Sequence, residues 1–220
     1  MLDRAVRVLR ELSHVPRPMN AEAVAHLTRV DPVLGRVIRR VGPPALRPQR
    51  RRSPFESLVR AVANQQLNGK AAATILGRFC GLFPGKPFPK PEDLAGVTDA
   101  TLRGCGFSGA KVAAIRDITE RAMTGRIPTS RVLARWPDER VVEVLTEARG
   151  VGRWTVEMLL IFQMGRPDVL PADDFGVRTG FQRAYGLESL PAPKAVLAHG
   201  ERWRPHRTTA SWYLWRVLDV

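Results

Sequence analysis

Apolar residues recur at helical spacing along almost the whole chain. Phe55, Leu58, Val59 and Val62 stand at i, i+3, i+4 and i+7, the positions that line one face of a helix. Ser53-Pro54 in front of them supplies an N-cap followed by proline at the first helical position. Asp31-Pro32 opens another helix, running toward Arg40, by the same logic. Further helices are expected near residues 3–12, 21–29, 69–82, 109–124, 138–147, 152–164, 174–185, 192–200 and 207–218. Stretches rich in proline and glycine punctuate them, notably Gly42-Pro43-Pro44 and the run 84–89. No segment sustains the apolar–polar alternation of a sheet strand, so the pattern predicts an all-α fold.

At 220 residues with 44% hydrophobic and 25% charged residues, the composition is that of an ordinary globular protein with a proper core. The charge changes the picture more. Thirty-five basic against 21 acidic residues leave a formal charge of +14, which favours a polyanionic partner. Only five of the basic residues are lysines, however, and an arginine excess of that kind also follows from a GC-rich genome. Charge alone therefore does not decide. The basic stretch Arg47-Pro48-Gln49-Arg50-Arg51-Arg52 reads as a solvated connector, with DNA phosphate contact as the alternative.

Cys80 and Cys105 are too few for an iron–sulfur cluster or a closed zinc site, and read as reduced packing residues. His14, His26, His199 and His206 have no ligand spacing, so no metal site is expected; only His206 is a candidate for DNA contact. The opening residues lack the apolar core of a signal peptide, and no apolar run approaches the ~20 residues of a membrane span. A cytoplasmic monomer is the expectation.

The first specific signal lies at 145–155, where a helix ends near Glu147 and another starts within a few residues. Gly150-Val151-Gly152 forms the turn. Its glycines allow backbone conformations that a side chain would forbid, and they let a phosphate come close. The first amides of the following helix lack intrahelical partners and carry the positive end of the helix dipole. Val151 would plug the turn into the gap between its helices. Arg149, Gly150, Val151, Gly152, Arg153 and Thr155 are thus the candidate phosphate contacts, blind to base sequence. A plain helix–turn–helix corner is the bland alternative.

Some twenty residues on, Pro171-Ala172-Asp173-Asp174 opens a helix. One aspartate is explained as an N-cap, and Asp173 is expected in that role. Asp174 then falls about one residue inside the helix and is the candidate catalytic carboxylate.

A Gly-Val-Gly hairpin followed at this distance by Pro-x-Asp-Asp resembles the helix-hairpin-helix base-excision glycosylases. The chain looks like their 3-methyladenine DNA glycosylase II (alkylbase DNA glycosylase) branch. Pro54 to Val62 followed by Asn64-Gln65-Gln66, Lys70-Ala71-Ala72-Ala73, Gly106-Phe107-Ser108 with Lys111, and Glu201 to Arg207 with Trp215 resemble successive blocks of it. The likeness runs collinearly over roughly 50–218. It implies two helical lobes flanking an active cleft, in one domain spanning 1–220 and without the N-terminal β domain some members carry. In that arrangement 1–50 would pack with the C-terminal helix, 51–190 would form the central lobe with hairpin 145–155, and 191–220 would close the fold.

The resemblance also implies roles. Gln65, Gln66 and Leu67 stand where the family fills the gap left by a flipped nucleotide, with Gln66 and Leu67 both candidates for the wedge itself. Trp154, Met158, Phe175 and Trp215 match the base pocket, while Trp212 is assigned to packing. The lysine that gives bifunctional relatives strand cleavage is replaced by Trp154, which implies a monofunctional enzyme. No cofactor is required. A structural monovalent cation could sit on the hairpin carbonyls of Thr146, Ala148 and Val151. The expected partner is double-stranded DNA with alkylated bases, such as 3-methyladenine or 7-methylguanine. Two rivals stand beside this reading: a non-enzymatic sensor of alkylated DNA, and a glycosylase for oxidised or mismatched bases.

Overall fold

The computed structural model describes residues 21–67 and 69–219, which are helical with no strand among them. The helix expected at 3–12 lies outside the described residues. Twelve α-helices are found there: α1 (Ala21–Val30), α2 (Pro32–Val41), α3 (Pro54–Asn64), α4 (Gly69–Gly81), α5 (Asp99–Gly104), α6 (Gly109–Met123), α7 (Ser130–Leu133), α8 (Asp138–Thr146), α9 (Arg153–Leu159), α10 (Phe175–Tyr185), α11 (Pro193–Gly200) and α12 (Arg207–Arg216). Short 3₁₀ turns at Pro91–Leu94 and Glu201–Trp203, and a π-helical turn at Leu160–Met164, join them. The sequence pattern misses α5 and α7. Helices of six and four residues are too short for an apolar period to show.

The chain divides into two compact units, one of Pro48–Arg166 and one of the described residues up to Arg47 and from Pro167 on. Residues 167–190 therefore fold with the N-terminal and closing helices, whereas the sequence grouping put them in the central lobe. Packing explains the difference. Gly180 of α10 lies so close to α12 that a Cβ there would stand 1.9 Å from the Leu214 carbonyl oxygen. The core of this unit joins Leu34, Val37 and Ile38 of α2 to Val177 and Phe181 of α10 and to Tyr213, Leu214 and Val217 of and beside α12.

Asp31 caps α2 by accepting the Leu34 amide at 3.0 Å, as its sequence position predicts. It does more than cap. Its other oxygen accepts from the Tyr185 hydroxyl, from Trp203 Nε1 at 2.8 Å, and meets His199 Nε2 at 3.0 Å. Burial alone would raise its pKa, but the hydrogen bonds from Tyr185, Leu34, His199 and Trp203 outweigh it and bring the value down to about 2. His206 is also inside, edge-on to His26 and only 8% exposed. A packing role replaces the DNA contact considered for it.

In the other unit Phe55, Leu58, Val59 and Val62 form the buried face of α3, at the spacing read from the sequence. Ser53 accepts the Glu56 amide at 3.1 Å and Pro54 opens the helix. Phe79 of α4 is ringed by Phe83, Phe88 and Phe107. The segment 47–52 joins the two units with Arg47, Gln49, Arg50 and Arg51 exposed, as a solvated connector would be, but its backbone is anchored. Gln49 N–H donates to the Phe162 carbonyl and Gln163 Nε2 to that of Arg52, each at 2.7 Å, so the π turn holds the segment in place.

Candidate active site

A turn closed by the Asp174 amide on the Pro171 carbonyl, at 3.0 Å, leads into α10. It leaves Asp173 exposed and puts Asp174 in the extended conformation of an N-cap (φ −63°, ψ 125°). Asp174, not Asp173, is therefore the cap, and it sits at the helix end rather than one residue inside. Its Oδ1 accepts the Val177 amide at 2.7 Å and the Trp215 Nε1–H at 2.8 Å. Two donors from different helices fix the plane of this carboxylate. Gly176 leaves room for the indole: a Cβ there would come within 3.0 Å of Trp215 Cδ1 and 3.1 Å of Asp174 Oδ1. Phe175 follows the carboxylate and is 70% exposed. Of the three crowded tryptophans, Trp203 belongs to the core and Trp212 packs on Tyr213 beneath Arg216, leaving Trp215 on Asp174.

The hairpin lies in the other unit, between α8 and α9. Gly150 adopts φ +76°, where glycine is favoured, and its α-carbon faces Ala114 so closely that a Cβ would be 3.2 Å from the alanine methyl. Gly152 does not share that need. Its φ of −89° and ψ of 168° suit any residue, and only open space surrounds it. Val151 is buried as the turn's plug, and its amide donates to the Ala148 carbonyl at 3.0 Å, one of the three carbonyls considered for a cation. Thr146 turns its hydroxyl back to the Val142 carbonyl.

The arginines and Thr155 separate in kind. Arg149 has an exposed side chain, while its amide donates to Asp117 Oδ2 at 2.7 Å. Arg153 is paired with Glu139, at 3.1 Å for the longer of two bonds, and with Glu157 at 3.2 Å. Its guanidinium is thus already engaged by two carboxylates. Thr155 is buried, which leaves its main chain and not its hydroxyl for an outside ligand.

α3 ends in the turn Gln65-Gln66-Leu67. Gln66 has φ +56°, the sole non-glycine residue with positive φ among those described. Gln65 does not project. Its side-chain amide donates to the Gly150 carbonyl at 2.8 Å. Gln66 and Leu67 are both exposed. A cavity of about 720 Å³ opens beside this turn, lined by Gln65, Gln66, Lys111, Arg149, Trp154 and Met158 among others. Trp154 is 46% exposed and Met158 half-buried at its wall.

Two residues here were not singled out from the sequence for any role. Lys111 Nζ donates to the carbonyls of Ala63 and Gln65 at 2.8 and 2.9 Å, and burial lowers its pKa. Asp117 receives the Arg149 amide and Arg121 Nε. The bonds from Lys111 and from the Arg149 amide join segments more than thirty residues apart, while Arg121 lies one turn from Asp117 on the same helix. Among the described residues, no three or more His, Cys, Asp or Glu side chains cluster where they could hold a metal ion. No helix among them is long and apolar enough to cross a membrane.

A family model described as HhH-GPD superfamily base excision DNA repair protein matches residues 59–205. The chain is 41% identical to DNA-3-methyladenine glycosylase 1 of Schizosaccharomyces pombe, over 90% of this chain and 88% of that protein. Among solved structures it is similar to the 3-methyladenine DNA glycosylase of that yeast in complex with abasic DNA, at TM-score 0.81 and 40% identity, covering 91% of this chain and 98% of the other. It is also similar to a DNA-3-methyladenine glycosidase from Bacillus halodurans, at TM-score 0.82 and 35% identity, with 90% of each chain covered.

Proposed function

The chain belongs to the HhH-GPD superfamily of base excision DNA repair proteins, and from that membership we propose a monofunctional glycosylase acting on alkylated bases in duplex DNA. It binds DNA and hydrolyses the N-glycosidic bond in base excision repair. The finer reading is that 3-methyladenine and 7-methylguanine are among its substrates, that an abasic site is the product, and that the enzyme works as a cytoplasmic monomer.

The observation that carries this reading is the Asp174 carboxylate, held at the start of α10 by the Val177 amide and the Trp215 indole. An alkylated base is already cationic and leaves without a general acid. What needs help is the sugar, which becomes oxocarbenium-like as the bond breaks. A carboxylate of fixed orientation stabilises that charge and directs water to the anomeric carbon, which is one half of the two-carboxylate plan of glycosidases.

Trp154 and Met158 are read as the wall that receives the flipped base, the indole attracting a cationic ring by about 0.5–2 kcal/mol. Trp154 occupies the place of the Schiff-base lysine, which supports hydrolysis without strand cleavage. Gln66 is read as the wedge. Its exposed side chain leaves a left-handed backbone, a conformation costing about 1–3 kcal/mol and kept where the surroundings enforce it. Arg149, Arg153 and the first amides of α9 are the proposed phosphate ligands, Arg153 being half-exposed and held by Glu139 and Glu157 until a phosphate competes for it. A monovalent cation on the hairpin carbonyls remains part of the proposal as a structural ion.

The test compares wild type with Asp174→Asn on methylated duplex DNA, with and without alkali. Release that needs alkali for strand breakage, and that falls by roughly 10²-fold or more in the variant while DNA binding persists, is the expected result. Equal release by both proteins removes Asp174 from the mechanism. Strand breakage without alkali refutes the monofunctional assignment.

A further inference from the structure

One face of α6 carries three contacts to the two turns that meet DNA in the reading above. Lys111, Ala114 and Asp117 follow one another at intervals of three, so they share that face. Lys111 holds the carbonyls of Ala63 and Gln65 at the end of α3. Ala114 abuts Gly150. Asp117 takes the amide of Arg149. A direct bond runs between the two turns, from Gln65 Nε2 to the Gly150 carbonyl at 2.8 Å, spanning 85 residues of sequence.

We propose that Gln65 and Lys111 are positioning residues that couple the hairpin to the wedge turn, so that seating a phosphate at the hairpin sets Gln66 for insertion. The proposal rests on Gln66 being the wedge. A positive φ at Gln66 needs enforcement, because an L-residue relaxes out of it when unsupported. Two contacts hold the residue directly before it. The Lys111 ammonium covers the Ala63 and Gln65 carbonyls at the end of α3, where a cation is also favoured by the helix dipole. The Gln65 side chain is fastened to the glycine whose own φ is +76°. Through this bond a shift of one turn is passed to the other.

The mechanical consequence separates binding from flipping. The hairpin keeps its own supports, Ala114 and Asp117, when Gln65 is changed. Binding to undamaged duplex should then persist, while extrusion of the target nucleotide fails. A residue that only stabilised the fold would lower both together.

The test uses the full chain and three variants, Gln65→Met, Lys111→Met and Gln66→Ala, with Lys111→Arg as the charge-retaining control. Thermal melts check that each is folded. Binding to undamaged duplex, fluorescence of 2-aminopurine beside the lesion, and single-turnover base release from a methylated duplex are measured. Gln65→Met and Lys111→Met are expected to change undamaged-duplex binding less than twofold and to slow release tenfold or more, with a matching loss of the fluorescence rise. Lys111→Arg recovers most of that rate. In the Gln66→Ala background, Gln65→Met has no further effect.

Full additivity of Gln65→Met with Gln66→Ala overturns the coupling while leaving the wedge intact. A wild-type rate in Gln66→Ala overturns the wedge reading and the coupling with it. Equal losses in binding and release in Gln65→Met reduce that residue to a structural support.

Discussion

Gly176→Ala tests the active-site carboxylate without touching it. Gly176 lies in the first turn of α10, in a conformation open to any residue, and alanine favours a helix over glycine by about 1 kcal/mol. The added methyl, however, would stand 3.0 and 3.2 Å from Trp215 Cδ1 and Nε1, and 3.1 Å from Asp174 Oδ1. Ordinary contact needs several tenths of an ångström more, and the indole is the movable party, since Trp215 is only half-buried. Its bond to Oδ1, now 2.8 Å, must stretch beyond 3 Å or break. A hydrogen bond to a charged acceptor is worth about 1.5–3 kcal/mol. Losing a third to all of it from the transition state slows the chemical step by roughly twofold to a hundredfold. The propensity gain and the crowding nearly cancel in stability. Single-turnover release should therefore fall while the melting temperature moves by no more than a few degrees. Trp215→Phe, which removes the donor and keeps the ring, should reproduce the rate loss. If both variants release base at the wild-type rate, the indole bond does not serve catalysis, and Asp174 is oriented without it.

Two further outcomes follow from the same unit. Gly180→Ala drives a methyl into the Leu214 carbonyl, 1.9 Å away, so α10 and α12 must part; the cost is roughly 3 kcal/mol, read as a lower urea midpoint, and an unchanged midpoint would contradict the close crossing. Asp31 titrates at about 2 in the folded chain against an ordinary 3.8, so its stabilising contribution is complete above the ordinary value and is lost as pH falls through the folded one. That difference amounts to about 2 kcal/mol. The gap in urea midpoint between wild type and Asp31→Asn should be widest near neutrality and shrink as pH falls below about 4; parallel curves across that range would show that the carboxylate's charge is not what the Tyr185, His199 and Trp203 bonds require.

Local signals in the chain carried local structure, and the limits of each trace to a distance. The face of α3 was legible because the period repeats inside one helix, and Ser53-Pro54 and Asp31-Pro32 marked helix starts because a cap acts three residues away. The adjacent aspartates 173 and 174 were ambiguous by one position. Either can cap, and the deciding bond is the turn from Pro171, which a pattern of residue types does not encode. A second role for Asp31 was out of reach for another reason: its partners Tyr185, His199 and Trp203 lie more than 150 residues on.

The candidate site divides along the same line. Asp174 and the hairpin glycine are each features of one helix end, and residue types at fixed spacing were enough to nominate them. Arg153 looked equally suitable as a phosphate ligand, since it opens α9 and is basic. Glu139, in the preceding helix, and Glu157, one turn on, already pair with it, although half of its side chain stays exposed. Lys111 presents the opposite case: it belongs to one of the blocks that resemble the family, but nothing in that block says that its ammonium ends up on the carbonyls beside the wedge turn. Positive charge in this chain is thus not uniformly available to DNA. An arginine engaged by two carboxylates must give up those pairs to meet a phosphate, whereas Arg149, with its backbone tied to Asp117 and its side chain exposed, is under no such constraint from them. Net charge of +14 overstates the electrostatic grip on the duplex to the extent that such pairs survive binding, and the contact that matters is set by which cations the fold has left outward.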